Sequence, residues 1–234
     1  MPTNETNTGE SAASADAEFV ALCDRLVGEL PISGGSVCAV GEKEAQSTLW
    51  ASDTIASQLD ELQFDLGEGP RWDATRSGAL IVVNDLPKEA TTRWPVLAGA
   101  LVHRSIGAVF VFPLTLGAIS VGVVELYRET PGSLGADSVA KAARMARTIT
   151  IPAVTYATRS ALEDHGLSTE FAPELRREVH QAAGMISYQL GITATEAFMR
   201  LRAHAFAIDV PVHVIANDVV CRRLNFKHLL DDHP

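Results

Sequence analysis

The sequence predicts an α+β protein: strand hairpins with flanking helices come first, and an all-α segment of three helices closes the chain. Three observations carry this. Two pairs of short β-branched and aromatic runs, SVCAV with STLWASD and AVFVFPL with ISVGVVELY, each flank a loop containing glycine. A long amphipathic run, 136–162, follows them. From Pro173 to Leu224 three apolar stripes at helical spacing follow one another closely.

In chain order, residues 1–15 are small, polar and aperiodic, and are expected to be a disordered leader. From Asp16 to Leu30, Phe19, Cys23, Leu26 and Leu30 give a helical stripe that Pro31 and Gly34-Gly35 break. Runs 36–40 and 47–53 make the first hairpin around Gly41, and residues 54–64 are helical up to the LGEGP turn. The second hairpin turns at Leu116-Gly117. Val139, Ala143, Ala146, Ile149, Ile151 and Val154 give 136–162 more apolar surface than one sheet edge needs. This predicts a connecting helix over 136–165, with a bend allowed at Pro152, that helps form a homodimer. The plainer alternative is a helix that packs on its own sheet. Residues 166–172 are the linker.

The C-terminal segment, 173–228, has three helices. Leu175, Val179, Ala182, Ile186 and Leu190 form the first stripe, which Gly191 ends. Thr193 and Glu196 have the spacing of a capping box, in which each side chain satisfies the other's free backbone donor. Phe198, Leu201, Ala205 and Ile208 are the second stripe. Pro211 suits the first turn of the third helix, whose stripe is Val212, Ile215, Ala216, Val219 and Val220.

These residues carry a resemblance. HQAAGMISYQLGITATEAFMRLRAHAF followed by VHVIANDVV resembles the ANTAR domain, a three-helix bacterial RNA-binding module, through Gln181, Ala182, Gly184, Ala197, Phe198, Leu201, Arg202, Ala205, Ile215 and Ala216. The family often has Lys before that glycine. This chain has Ala183, so the resemblance implies that one RNA contact is missing. QFDLGEGPRWDA, ALIVVNDL, RWPVLAGALVHRSIGAVFVFPL and SVGVVELYRETPGSL resemble a GAF domain, a sensory module with a central antiparallel sheet and a ligand pocket. The commoner form of the first motif has Cys after Gly-Pro; Arg71 here replaces a thiol with a charge. Together the resemblances imply a GAF-like antiparallel sheet with flanking helices over 16–135 and an ANTAR bundle over 173–228. They imply RNA stem-loops as partner, a small-molecule effector of unknown identity, and transcription antitermination as function.

Composition bounds these readings. The formal charge is −10, but 176–227 holds Arg176, Arg177, Arg200, Arg202, Arg222, Arg223 and Lys227 against Glu178, Glu196, Asp209 and Asp218, a net of +3. That excess is small, so recognition would need shape and base contacts. No apolar run is long enough for a membrane span, and no signal peptide is visible. Cys23, Cys38 and Cys221, odd in number and far apart, fit a reducing cytoplasm. No His/Cys cluster has metal-ligand spacing, so no metal is expected. No Ser-His-Asp order, Walker loop or HExxH motif appears, so no enzyme is expected.

Arg177, Gln181, Gly184 and Tyr188 are spaced by four, three and four residues and so share one helix face. By pattern alone this is a solvated face. With the resemblance it becomes the RNA face, where Arg holds phosphate, Gln reads a base edge and Tyr stacks. Arg202 is either an RNA or interhelix contact or a salt-bridge partner of Glu196 or Asp209. Arg200 and His204 are i, i+4 neighbours able to form a cationic patch. Phe198 reads as core or as a stacking platform. In the sensor, Trp50, Trp72 and Trp94 either line the ligand pocket, with Asp85 at its edge, or are simply buried. Two rival functions remain. One is a DNA-binding regulator that uses the last helices as a helix-turn-helix. The other is a ligand-sensing signalling protein with a degenerate effector. A GAF-fold sulfoxide-reducing enzyme would need cysteines near the pocket.

Overall fold

The computed structural model describes residues 6–40, 46–102, 104–162, 173–208 and 210–231. The chain separates into two compact units at residues 171/172.

The first unit is built on a five-stranded sheet. β1 (Gly34–Val40) and β2 (Gln46–Ala51) are neighbours, as are β4 (Ala108–Leu116) and β5 (Ile119–Arg128). With β3 (Ile81–Val83) the strand order is β2-β1-β5-β4-β3. β1 pairs antiparallel with β5, β5 with β4, and β4 with β3. Gly117, at φ 61°, makes the β4–β5 turn that the sequence predicts.

Side chains alternate across the sheet with the strand period of two. Phe110, Phe112 and Leu114 of β4 join one core with Phe19, Leu26, Trp50, Ala146 and Ile149. Val109 and Val111 join the other, with Val83, Leu86, Ala90, Trp94 and Leu97. The second core is covered by α2 (Thr54–Leu66), α3 (Pro70–Ser77), α4 (Leu86–Arg93) and α5 (Pro95–Ala100). Asp53 caps α2 by accepting from the Ala56 amide at 2.8 Å, and Gly67, at φ 66°, ends it.

The first core is covered by two long helices, α1 (Thr6–Gly28) and α6 (Ala136–Leu162). α1 starts at Thr6, ten residues before the expected helix start at Asp16. Asp16 pairs with Arg159, Glu29 pairs with Lys141 at 2.9 Å, and Phe19 stacks on Tyr156 at 5.0 Å, so α1 runs antiparallel to α6. α6 continues through Pro152 as one helix. Its Ala142, Ala146, Ile149 and Ala153 are buried in this core. The apparent surplus of apolar surface is therefore largely taken up by α1 and the sheet. Ile151 is left outside, 66 % exposed.

The second unit contains α7 (Pro173–Leu190), α8 (Ala194–Ala207), α9 (Val212–Val220) and α10 (Phe226–Asp231). Val179, Ala182, Ala183 and Ile186 of α7 pack with Ala197, Leu201 and Ala205 of α8 and with Val212, Ile215, Ala216 and Val219 of α9. Two of the expected α8 stripe positions, Leu201 and Ala205, are buried, and the other two differ. Ala197 is buried where Phe198 was expected, Phe198 is half-buried, and Ile208 is exposed. The capping box forms, with Thr193 as N-cap. Pro211 stands at the N-cap of α9 rather than in its first turn. α10, not foreseen from the sequence, buries Phe226, whose amide donates to Gln189 Oε1 at 3.0 Å. Among the described residues no helix is long and apolar enough to cross a membrane.

Candidate functional site

In the second unit the outer face of α7 is one continuous row. Gln181, Gly184 and Tyr188 are all exposed, and Tyr188 is 91 % exposed. Val179, Ala182, Ala183 and Ile186 turn inward from it. A Cβ placed on Gly184 would meet nothing within 4 Å, so the surface there is open to an approaching molecule. The Arg177 side chain, one turn before Gln181, lies outside the described residues. The row offers an amide, a bare backbone stretch and an aromatic plane.

Ala183 faces away from this row. It is only 4 % exposed, beside Ala182 in the bundle core. In this chain position 183 is buried and does not belong to the outward row of Gln181, Gly184 and Tyr188.

On α8, Arg200 is exposed. Arg202 is half-buried, with its guanidinium over the Phe198 ring at 5.3 Å from the centroid. The His180 ring also lies near Phe198, at 6.3 Å between centroids. His180, Phe198 and Arg202 thus tie α7 to α8. His204 meets Phe226 edge-on at 5.3 Å, which turns its ring toward α10 rather than into a patch with Arg200. Glu196 is held as a carboxylate below its usual range, chiefly by the Thr193 backbone N–H and then by the Thr193 hydroxyl.

The polar residues of α9 are engaged within the bundle. Asn217 donates to Glu178 at 3.3 Å, and Asp218 pairs with Arg223 at 2.7 Å. Arg222 is exposed at the turn after α9, at φ 58°.

In the first unit the four sequence candidates separate. Trp50 is buried in the core under α1 and α6, while Trp94 is buried in the core on the opposite sheet face. Trp72 is buried, and its indole donates to the Gln63 carbonyl at 2.6 Å. Asp85 caps α4, accepting from the Lys88 amide at 3.2 Å. These residues do not line a common cavity. Cys23 and Cys38 also belong to opposite cores, and burial pushes the Cys23 thiol well up. Cys221 is exposed.

Sequence reasoning missed a buried polar network around Arg71. This side chain is 0 % exposed, and its guanidinium pairs with Asp60 of α2 and donates to the Asp60 carbonyl at 2.8 Å. Thr48 of β2 donates to the same carboxylate. Gln63 Nε2 donates to both oxygens of Glu125 on β5 at 2.8 Å, and Gln63 Oε1 accepts from the Arg71 amide at 2.9 Å. Gly69 has φ 131°, and a Cβ there would lie 2.5 Å from Gln63 Oε1, so both conformation and space require glycine. Glu68 accepts from the Leu97 amide at 2.6 Å and anchors the start of α5. The Gly-Glu-Gly-Pro turn is thus a structural clamp. Burial pulls the Arg71 pKa down, but Asp60, Cys38 and Glu125 outweigh that and hold it above its ordinary value. The one sequence signal was the charge at Arg71 itself.

Comparison with known proteins places both units. Residues 169–220 match the ANTAR domain family. No curated protein matches the chain. The fold of the N-terminal part is shared by the GAF domain region of a protein from Geobacter sulfurreducens PCA, at 15 % identity and a TM-score of 0.51, over 64 % of this chain and 99 % of that one. A GAF domain/HD domain protein from Geobacter sulfurreducens is similar at 14 % identity and a TM-score of 0.47, over 63 % of this chain and 97 % of its own. GAF3 of a Synechocystis protein is similar at 15 % identity and a TM-score of 0.47, over 64 % and 99 %.

Proposed function

From a chain that joins a GAF-like fold to an ANTAR domain, we propose a signal-responsive RNA-binding regulator that prevents transcription termination. It binds paired stem-loops in nascent mRNA and holds them against refolding into a terminator. The observation that carries this reading is the outward row of Gln181, Gly184 and Tyr188, which lies within the matched segment. Unpaired loop bases suit such a surface: Tyr188 supplies a stacking plane, Gln181 reads a base edge, and Gly184 admits the backbone closely. Arg200 and Arg202 add phosphate attraction. The activity proposed is binding, without catalysis, in the cytoplasm where nascent mRNA is found.

Two stem-loops call for two modules, so the working unit in this proposal is a homodimer through α6, whose outer side presents Arg144, Arg147 and Ile151. A small-molecule effector acts by favouring one arrangement of the sensor over another, which requires different affinity for the two. The rival DNA-reading use of the last helices is disfavoured because Asn217 and Asp218 are engaged with Glu178 and Arg223.

The test is a binding titration at two salt concentrations with an RNA of two adjacent hairpins, a single hairpin and duplex DNA. The expected result is preference for the paired hairpins, weakened in Tyr188→Ala. Equal binding of all three probes overturns the proposal.

A further inference from the structure

Two rows of residues spaced by four, His180–Gly184–Tyr188 on α7 and Phe198–Arg202–Phe206 on α8, start from the same place. Their first members meet, with the His180 and Phe198 ring centroids 6.3 Å apart. Each four-residue step turns a row by about 40° around its helix. α7 and α8 are joined by residues 191–193 alone and pack on each other, so they run antiparallel. Between antiparallel helices, equal turns away from a shared contact carry both rows to the same outer side. Burial agrees, since the rows pass from half-buried His180 and Phe198 to exposed Tyr188 and Phe206. Gly184, Tyr188, Arg202 and Phe206 thus belong to one face, divided by the α7–α8 seam.

Phe206 is 67 % exposed, and Met199, seven residues before it and so on the same side of α8, is 53 % exposed. The charges beside them decide what they can meet. Arg202 stands one turn before Phe206, and Arg200 is exposed next to Met199. Glu196, the carboxylate at that end of α8, is taken up by the Thr193 amide and hydroxyl, both at 2.9 Å. The face is therefore apolar and cationic, which complements unpaired bases with phosphates between them. We infer that Phe206 is a second base-stacking plane of the RNA site, on the other side of the seam from Tyr188. Met199 packs at its edge, and Arg202 beside it attracts phosphate. The occupant is a single-stranded loop of RNA, so the inference rests on the RNA-binding reading and deepens it: a module with two planes takes two splayed bases rather than one.

The test uses the full chain, the paired-hairpin RNA, and the same RNA with abasic sugars in place of its loop nucleotides. Phe206→Ala should bind the paired hairpins about 5- to 150-fold more weakly than the wild type, the effect of one lost stacked base. Phe206→Tyr should keep most of the affinity. On the abasic RNA, wild type and Phe206→Ala should bind alike, because no base is left to stack. Full affinity in Phe206→Ala, with binding weakened in Tyr188→Ala, leaves the RNA reading standing and overturns this inference. A Phe206→Ala deficit that persists on the abasic RNA also overturns it. So does a change in the sedimentation of the RNA-free protein, which would make Phe206 part of a protein interface. A wild type with no preference for the paired hairpins overturns the RNA reading and this inference together.

Discussion

The Arg202 guanidinium lies over the Phe198 ring, 5.3 Å from its centroid, four residues along the same helix. The position that resembles an RNA contact therefore also has a packing role on α8. The two roles separate experimentally because they respond to different substitutions. Arg202→Lys keeps the charge and loses the planar face, and should cost about 0.5–1 kcal/mol in urea unfolding while leaving the salt dependence of RNA binding unchanged. Arg202→Ala should also lower the slope of log K against log salt by about 1. An unchanged slope in the alanine variant would make Arg202 a structural residue only.

Tyr188 presents the opposite case, since its ring projects almost wholly into solvent. Tyr188→Ala should change folding stability by less than about 0.5 kcal/mol. Loss of a stacked base should weaken binding of paired hairpins by about 1–3 kcal/mol. Tyr188→Phe should retain most of the affinity. Unaltered RNA binding in Tyr188→Ala would return this face to plain solvated surface.

Periodic features were legible in the sequence, and pairings between distant residues were not. The second hairpin, the Thr193–Glu196 capping box and the α9 core positions each follow from local spacing. On α8, Leu201 and Ala205 follow from spacing, but Phe198 looks like core by hydrophobicity, whereas the helix turns Ala197 inward. The surplus apolar face of α6 looked free because its cover, α1, lies more than a hundred residues earlier and begins in a stretch of small polar residues. Trp50 and Trp94 read alike in sequence, and only the sheet assigns them to opposite cores. The network at Arg71 depends on Gln63 and Glu125, which are 62 residues apart, a relationship with no local signature.

That network gives the first unit a specific vulnerability. Asp60 is the direct counter-charge of a guanidinium with no access to water, and its other oxygen accepts from Thr48. Asp60→Ala should destabilise by about 3–5 kcal/mol, because it leaves a buried charge unpaired. Urea unfolding is the measurement, and a loss below about 1 kcal/mol would mean that the Asp60 carboxylate is not what holds the cation.

The Thr193–Glu196 box links α8 to pH. Thr193→Ala removes the side-chain acceptor at the N-cap and should cost about 1 kcal/mol. The Glu196 pKa is lowered in the folded protein, chiefly by the Thr193 backbone N–H, so the native state binds its proton less readily than the unfolded chain. Its stabilising contribution is therefore fully present above the ordinary Glu range, near pH 4.3 or about that value. It is lost as pH falls through the lowered folded value. Glu196→Gln keeps an acceptor for the N-cap amide but cannot titrate. The stability advantage of the wild type over Glu196→Gln should thus be constant near neutrality and shrink on acidification, read from urea midpoints at a series of pH values. An advantage that persists undiminished at about pH 3 would show that the carboxylate charge contributes nothing beyond the hydrogen bond that glutamine also makes.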